Sequence, residues 1–301
     1  MSYQLEDYEP LPAAIRRITR EEIDTALAHL TDANPNRDEV IHEARKCFKK
    51  IRAVLRLIVQ PKVADELGKE IYKRENLCYR DAGRCLSDLR ESAVMVETLD
   101  KVANHFAQEL DAGVQPKVAE VRSALVQSHQ ALSQRLYDEE KVIDVVVATL
   151  HPARARLASW PIAGDDFTAI VGGLRRVYQR GRRCLAHAYA NRTAEDFHEW
   201  RKQVKYLWYH LTILEPLRPE VLQRTTTKLH DLSDYLGDDH DLFALRRRLQ
   251  QGAGLEAIRI PPLLVTLIEC WRTEIQTAAR PLGERLYAEE PDVFVKRMGH
   301  Y

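Results

Sequence analysis

Residues 41–58 read IHEARKCFKKIRAVLRLI and combine an apolar pattern with a basic one. Apolar side chains recur every three or four positions, which is the period of one face of an α-helix. These positions are Ile41, Ala44, Phe48, Ile51, Leu55 and Ile58. Cations lie beside that face, and Glu43 is the one acid in the segment. The pattern predicts a helix that packs on a core and carries cations at the core's edge.

A second copy of the basic pattern begins 156 residues later, where residues 198–205 read HEWRKQVK. Five polar residues match HEARKCFK at 42–49. The matched pairs are His42/His198, Glu43/Glu199, Arg45/Arg201, Lys46/Lys202 and Lys49/Lys205. Residues 194–214 also repeat the apolar face. We interpret the repeated cations as sites that hold a polyanion, because Arg and Lys suit phosphate-like groups.

Helical periodicity covers nearly the whole chain, and strand-like alternation is almost absent. We expect helices at roughly 11–31, 41–58, 62–86, 89–111, 115–151, 165–190, 194–214, 218–236, 240–251 and 260–289. The prolines and glycine between His151 and Asp166 predict a linker there. The sequence therefore predicts an all-α fold with an N-terminal half at 1–155 and a C-terminal half at 156–301.

A further sequence echo follows the basic helix in each half. LSDLRE at 86–91 precedes LGDDHD at 236–241 by 150 residues. We interpret the two echoes as an internal duplication that forms two helical bundles about a pseudo-twofold axis. The run of Asp238, Asp239, His240 and Asp241 is expected to follow a helix end at Gly237 and to cap the next helix, with coordination of a divalent ion as the alternative.

Composition limits the function classes. The 301 residues include 45 basic and 45 acidic side chains, so an anion site depends on local segregation of charge. Five cysteines without a C-x-x-C pair argue against a disulfide framework or a zinc ribbon. The sequence shows no signal peptide and no apolar run long enough to span a membrane. We therefore expect a cytoplasmic protein.

Two more basic stripes have helical spacing. One consists of Lys69, Lys73, Arg80 and Arg84. The other consists of Arg176, Arg180, Arg183 and His187, within an acid-poor stretch. Like charges at such spacing need partners, either carboxylates on neighbouring helices or a bound anion. Both interpretations are open for each stripe.

Familiar catalytic motifs are absent or incomplete. Lys46 and Lys202 stand where the zinc-protease pattern H-E-x-x-H requires its second histidine. The sequence contains no Walker-type or dinucleotide-type glycine motif. His42 and His198 lie beside several cations, which favours their neutral form and a role as hydrogen-bonding ligands or as polar residues at the bundle edge.

As a group, the repeated His-x-x-Arg-Lys-x-x-Lys helices, the Leu-x-Asp turns after them and the Arg175–Arg183 run resemble the CHAD family, named for its histidines and helices. The resemblance covers about residue 10 to the end. It implies two pseudo-symmetric four-helix bundles with a basic central cavity that binds inorganic polyphosphate. The triphosphatase domain found in some relatives has no counterpart here, so the chain is expected to be a stand-alone binding domain.

Carried over by residue, the resemblance implies a polyphosphate site from both halves. Its members are His42, Arg45, Lys46, Lys49, Arg52, Arg80, Arg84, Arg176, Arg180, Arg183, His198, Arg201, Lys202 and Lys205. Two positions depart from the family pattern. Trp208 is the counterpart of Arg52, which leaves fewer cations in the second half, and Glu91 stands where an aspartate is usual.

We therefore expect non-catalytic binding of polyphosphate, with no metal site and no cofactor other than a divalent cation such as magnesium that polyphosphate can bring. Polyphosphate granules and polyphosphate-metabolising enzymes are the partners this implies, while a membrane is not expected. Binding of nucleic acid or another polyanion, a polyphosphate-processing enzyme and a helical scaffold with internally paired charges are the alternatives.

Overall fold

A computed structural model describes residues 3–7, 9–32, 36–58, 66–162, 164, 166–252, 255 and 258–299. All regular secondary structure in these residues is helical, as expected of an all-α fold. The helices are α1 (Leu11–Thr31), α2 (Arg37–Ile58), α3 (Glu66–Cys85), α4 (Ser87–His105), α5 (Gln115–Gln134), α6 (Val142–Arg156), α7 (Thr168–Asn191), α8 (Ala194–Leu214), α9 (Pro219–Gln251), α10 (Pro262–Leu286) and α11 (Pro291–Gly299). None of them is long and apolar enough to cross a membrane.

Helix α2 lies at the centre of the fold because it is apolar on two faces. Its predicted apolar positions from Ile41 to Leu55 are buried against α1, α3 and α6. A second group, Ala53, Val54 and Leu57, packs with α7 and α8. Each large apolar side chain buried in this way stabilises the fold by about 1.5–3 kcal/mol. Helix α2 is therefore held from both sides.

Helix α8 is fixed by the apolar face that the sequence predicts. Every member of that face is buried in one core cluster with parts of α7 and α9. These members are Phe197, Trp200, Val204, Leu207, Leu211 and Leu214. The hydroxyl of Thr193 accepts a hydrogen bond from the backbone N–H of Asp196 and caps the helix start.

The expected helix break at Gly237 is wrong, because α9 is one continuous helix from Pro219 to Gln251. Leucines on both sides of Gly237 are buried, which favours continuation of the helix. Asp239 does not cap a helix. Its carboxylate accepts hydrogen bonds from Arg272 Nε at 3.1 Å and Gln276 Nε2 at 2.8 Å, and so ties α9 to α10.

Other boundaries also differ from the predictions, and the helix expected at 89–111 ends at His105. The helix expected at 115–151 ends at Gln134, continues as one π-helical turn at 135–139 and resumes at Val142, after Lys141 adopts a left-handed conformation with φ 48°. The linker expected from His151 begins later, because α6 runs through Pro152 to Arg156 with Leu150 and Ala153 buried. Helix α11 was not predicted, although Phe294, Val295 and Met298 give it a buried face. The expected start of α3 at residue 62 lies outside the described residues.

The hydrophobic cores do not follow the division at residue 155. One cluster joins α1 and α2 to α7, α8 and α9. Another joins α4 and α5 to α9 and α10, and the third belongs to α1, α2, α3 and α6. Two clusters thus mix the halves, and the internal duplication stays a prediction.

We expect Gly173→Ala to lower the free energy of unfolding by about 1–3 kcal/mol, because overpacking forces backbone shifts. A Cβ at residue 173 of α7 would overlap the backbone carbonyl of Leu57 in α2. Gly83→Ala is the control, since its Cβ would lie 3.8 Å from Phe48 Cδ2, an ordinary contact. Urea unfolding of both variants measures the difference. Equal stability of the two variants would contradict the close crossing of α2 and α7.

Candidate functional site

The two copies of the basic motif lie on neighbouring helices. Helix α2 packs against α8, and a buried hydrogen bond joins His210 Nε2 to the backbone carbonyl of Ala53 at 2.8 Å. The guanidinium of Arg56 lies over the ring of Tyr206, 4.2 Å from its centroid. The apolar faces below thus bring both sets of cations to the same side of the molecule.

Two cavities open between these helices. The first, of about 470 Å³, extends towards α3, and the second, of about 490 Å³, extends towards α9. They share Lys49, Arg201, Lys205 and Tyr209, so we treat them together as the groove and these four residues as its junction. Each volume lies in the range of small-molecule sites.

All the predicted site residues on α2, α3 and α8 line the groove. The first cavity contains Arg45, Lys49, Arg52, Arg80, Arg84, His198, Arg201, Lys202 and Lys205. The second cavity adds His42 and Lys46, together with Lys101 of α4. Residues separated by more than 150 positions in the chain therefore meet at one site.

The predicted arginines of α7 do not line either cavity. Arg180 and Arg183 are exposed, and Arg180 Nη2 lies 3.8 Å from a carboxylate oxygen of Glu199. Arg176 is half-buried, and desolvation lowers the pKa of its guanidinium. Their spacing places them along one side of a helix, but spacing alone does not determine what that side faces.

Cations near the rim of the groove have carboxylate partners. Lys46 Nζ lies 3.1 Å from Glu43, and Lys202 pairs with Glu199 at the same i,i+3 spacing in the second motif. Arg80 Nε lies 2.8 Å from Asp81. These rim cations therefore fit the alternative in which carboxylates, and not a bound anion, are the partners of the basic stripes. Partly exposed pairs of this kind contribute at most about 1 kcal/mol each.

Cations at the junction differ, because they lack such partners. Among the described residues, Lys49, Arg201 and Lys205 form no ion pair within 4.0 Å. Neighbouring cations are held by neutral groups: Arg45 donates to the carbonyl of Gly83, and Arg52 Nε donates to Asn76 Oδ1 at 3.3 Å. Asp241 lines the second cavity but makes no ion pair with these cations within the described part of the chain. The junction thus concentrates positive charge that the described carboxylates do not pair.

Burial and mutual repulsion lower the pKa values of the two junction lysines. Desolvation and then the charge of Arg201 lower the pKa of Lys205 to about 8, although Asp234 and Asp241 act in the opposite direction. Desolvation, Lys205 and Arg201 lower the pKa of Lys49 well below its usual value. Both effects disfavour the charged ammonium, and a bound anion would reverse them.

Three histidines of the groove, His42, His198 and His240, have lowered pKa values, which favours their neutral form. Desolvation is the largest cause that lowers the pKa values of His42 and His198, with neighbouring cations adding to it. The ring of His198 packs on that of His240, 4.4 Å away, and burial lowers the pKa of His240 to about 3. Neutral imidazoles can donate hydrogen bonds to anions without adding charge.

Several buried nitrogen atoms around the junction have no hydrogen-bond partner among the described residues. They are Nε of Arg45, Nε of Arg201 and Nδ1 of His198. Buried polar groups are nearly always hydrogen-bonded, and a bound group often explains the exceptions. Buried side-chain atoms without a hydrogen-bond partner also occur elsewhere in the molecule. These three nitrogens therefore only add support to an anion site that the unpaired lysines indicate.

Sequence reasoning missed some residues that line the groove. Lys101 lies on α4 and closes the second cavity through an ion pair to Asp238 at 2.9 Å. Tyr79 and His240 line the first cavity. Helical period does not group Tyr79 with Arg80, because adjacent positions of a helix point in different directions, and no local signal connects Lys101 to the repeated motif. Trp208, the expected gap in the second set of cations, lines the second cavity.

Carboxylate and histidine groups of the described residues do not assemble into a cluster of three or more that could hold a metal ion. Asp234 lies 3.0 Å from His230, and Asp238 is paired with Lys101. A divalent cation could therefore enter with an anionic ligand, since its binding would not depend on a cluster of protein ligands.

The chain is an all-α domain in which two helices, each beginning its basic motif with a histidine, contribute cations to one groove. The chain belongs to the CHAD family, whose CHAD domain model matches residues 17–250. Among solved structures, the crystal structure of the CHAD domain from the plant Ricinus communis is similar, with 21% sequence identity and a TM-score of 0.47. The match covers 100% of this chain and 93% of the plant chain. No curated protein matches the chain.

We expect Lys205→Met to raise the free energy of unfolding by about 1–3 kcal/mol at pH 7 in low salt without polyanion. The folded pKa of Lys205 is about 8, below the ordinary 10.5, so the folded chain binds fewer protons than the unfolded chain between these values. The free-energy cost of burying the Lys205 ammonium in the folded protein is therefore complete below pH 8 and disappears above pH 10.5.

Urea unfolding at pH 7 and at pH 10.5 measures this difference. Lys202→Met is the control, because its ammonium is paired with Glu199. We expect the stabilisation by Lys205→Met to shrink at the higher pH. A variant that is less stable than the parent at pH 7 would show that Lys205 is satisfied in the unliganded protein.

Proposed function

We propose that the chain binds linear inorganic polyphosphate in the groove without turning it over. The observation that carries the proposal is the set of junction cations, Lys49, Arg201 and Lys205, which have no carboxylate partner among the described residues. Keeping such cations together disfavours the unliganded state. An anion that enters the junction would remove that repulsion and supply the missing hydrogen-bond acceptors.

A linear chain of phosphates suits the shape and charge of the groove. The cations extend from Arg84 at one side, through the junction, to Lys46 at the other. A ligand with one charge per repeating unit can meet them in sequence, and arginine offers planar forks to phosphate oxygens. Its association would release counterions, so binding would weaken steeply with salt.

Membership of the CHAD family supports this choice of anion, since the resemblance in the sequence implies polyphosphate binding. The chemistry of the groove supports binding without turnover. Burial lowers the pKa of His198, and the described contacts of the groove hold cations in place through carbonyl, amide and carboxylate oxygens. Incubation of the protein with polyphosphate, with and without magnesium, tests this part, because release of orthophosphate would overturn it.

We expect the double variant Lys49→Gln, Lys205→Gln to lose at least about 30-fold in affinity for long-chain polyphosphate, since two charge-assisted contacts are removed. The matched control is Arg122→Gln, Arg154→Gln, which removes two exposed cations outside the groove that pair with Asp100 and Asp24. Isothermal titration calorimetry at fixed salt compares the variants.

A salt series adds a second measurement. The slope of log affinity against log salt should fall by about two in the groove variant and stay unchanged in the control. Equal losses in both variants would show that polyphosphate binds by surface charge alone. Duplex DNA at equal phosphate concentration is the competing ligand, and equal affinity for it would favour general polyanion binding instead.

We also expect affinity for polyphosphate to fall as the pH rises through about 8. A bound anion favours the protonated form of Lys205, whose pKa is about 8 without ligand, so binding takes up protons above that pH. Below pH 8 the Lys205 ammonium is already charged in the free protein, so this residue makes the affinity for polyphosphate no stronger as the pH falls further. Lys205→Arg keeps the charge at all these pH values and should remove this part of the pH dependence. If the affinity of Lys205→Arg depended on pH in the same way as that of the parent, Lys205 would not be the titrating group.

A further inference from the structure

Gly237 lies in the interior of α9, where glycine is a poor choice for helix stability. The residue is buried and has no turn to make, because α9 continues for fourteen residues to Gln251. A Cβ at this position would lie 3.3 Å from Nη2 and 3.5 Å from Nε of Arg201. The missing side chain therefore leaves space for the guanidinium of an arginine on another helix.

Arg201 occupies the junction of the groove. It lines both cavities, and its Nε is buried without a hydrogen-bond partner among the described residues. Gly237 lines the second cavity beside it. A side chain at residue 237 would push the guanidinium away from α9 and into the passage between the cavities.

The first copy of the motif provides an internal comparison. In the sequence echo, Ser87 corresponds to Gly237, and Arg45 corresponds to Arg201. Arg45 donates to the backbone carbonyl of Gly83 and lines the first cavity only. Arg201 lies against the Cα of Gly237 and lines both cavities, whereas Arg45 is bonded to the carbonyl of Gly83 and lines one.

We infer that Gly237 is a positioning residue that holds Arg201 against α9, so that one linear phosphate chain can engage both cavities through the junction. The inference rests on the proposed function and specifies how the same site selects its ligand. A chain that spans the junction contacts the cations of both cavities, whereas a short phosphate occupies one cavity. Gly237 therefore contributes to preference for long chains.

The test compares Gly237→Ala and Gly237→Val with the parent, using long-chain polyphosphate and tripolyphosphate as probes. Alanine requires Arg201 to yield by only a few tenths of an ångström, so its effect should be small. Valine forces a larger shift, and we expect at least about tenfold weaker binding of the long chain, with a smaller loss for tripolyphosphate.

Arg201→Ala provides the control for mechanism. In that background Gly237→Val meets no guanidinium and should cause no further loss of affinity for the long chain. Circular dichroism and thermal unfolding show whether each variant is folded. Strong coupling between positions 237 and 201 in binding, without loss of fold, supports the inference.

Three outcomes overturn it. If Gly237→Val weakens long-chain binding equally with and without Arg201, the glycine acts through packing and not through the arginine. If the parent binds polyphosphate and Arg201→Ala weakens it, but neither Gly237 variant does, this inference fails while the proposed function stands. A parent chain that does not bind polyphosphate would overturn the proposed function first and this inference with it.

Discussion

The groove depends on apolar packing that holds like charges together. Lys49 and Lys205 repel each other, and burial penalises both ammonium groups. They stay adjacent because α2 and α8 are fixed from beneath by Phe48, Trp200 and their neighbours. Each such side chain stabilises the fold by about 1.5–3 kcal/mol, so a handful outweighs the cost of a few unpaired cations. The cores supply the stability that the site lacks.

Charge in the groove is graded from rim to junction. Cations at the rim, such as Lys46 and Lys202, have an acid three residues earlier on the same helix, and this local pairing limits repulsion where solvent already screens it. Towards the junction the partners become neutral oxygens or are absent within the described residues. The strongest field therefore lies where water is most restricted, which is where an anion gains most from it.

Local pattern predicted most of the helices and the site residues of α2, α3 and α8. The apolar faces of α2 and α8 and the repeated cations beside them follow from helical spacing, and burial confirms every predicted apolar position except Ile58, which is partly buried. The continuity of α9 could not be foreseen, because Gly237 is explained by a contact with Arg201, which is remote in the chain. The arginines of α7 also could not be placed from the sequence alone. Their spacing is regular, yet their position depends on which side of α7 meets α2, and the close contact at Gly173 sets that.

The bond between His210 and the carbonyl of Ala53 has a consequence for how such a domain can diversify. It lies on the side of the α2–α8 contact away from solvent and fixes the two helices without using any cation of the groove. Substitution of a junction cation such as Lys49, which forms no ion pair among the described residues, therefore leaves this contact between the helices in place. The charges at the junction can therefore change while this contact keeps the two helices together.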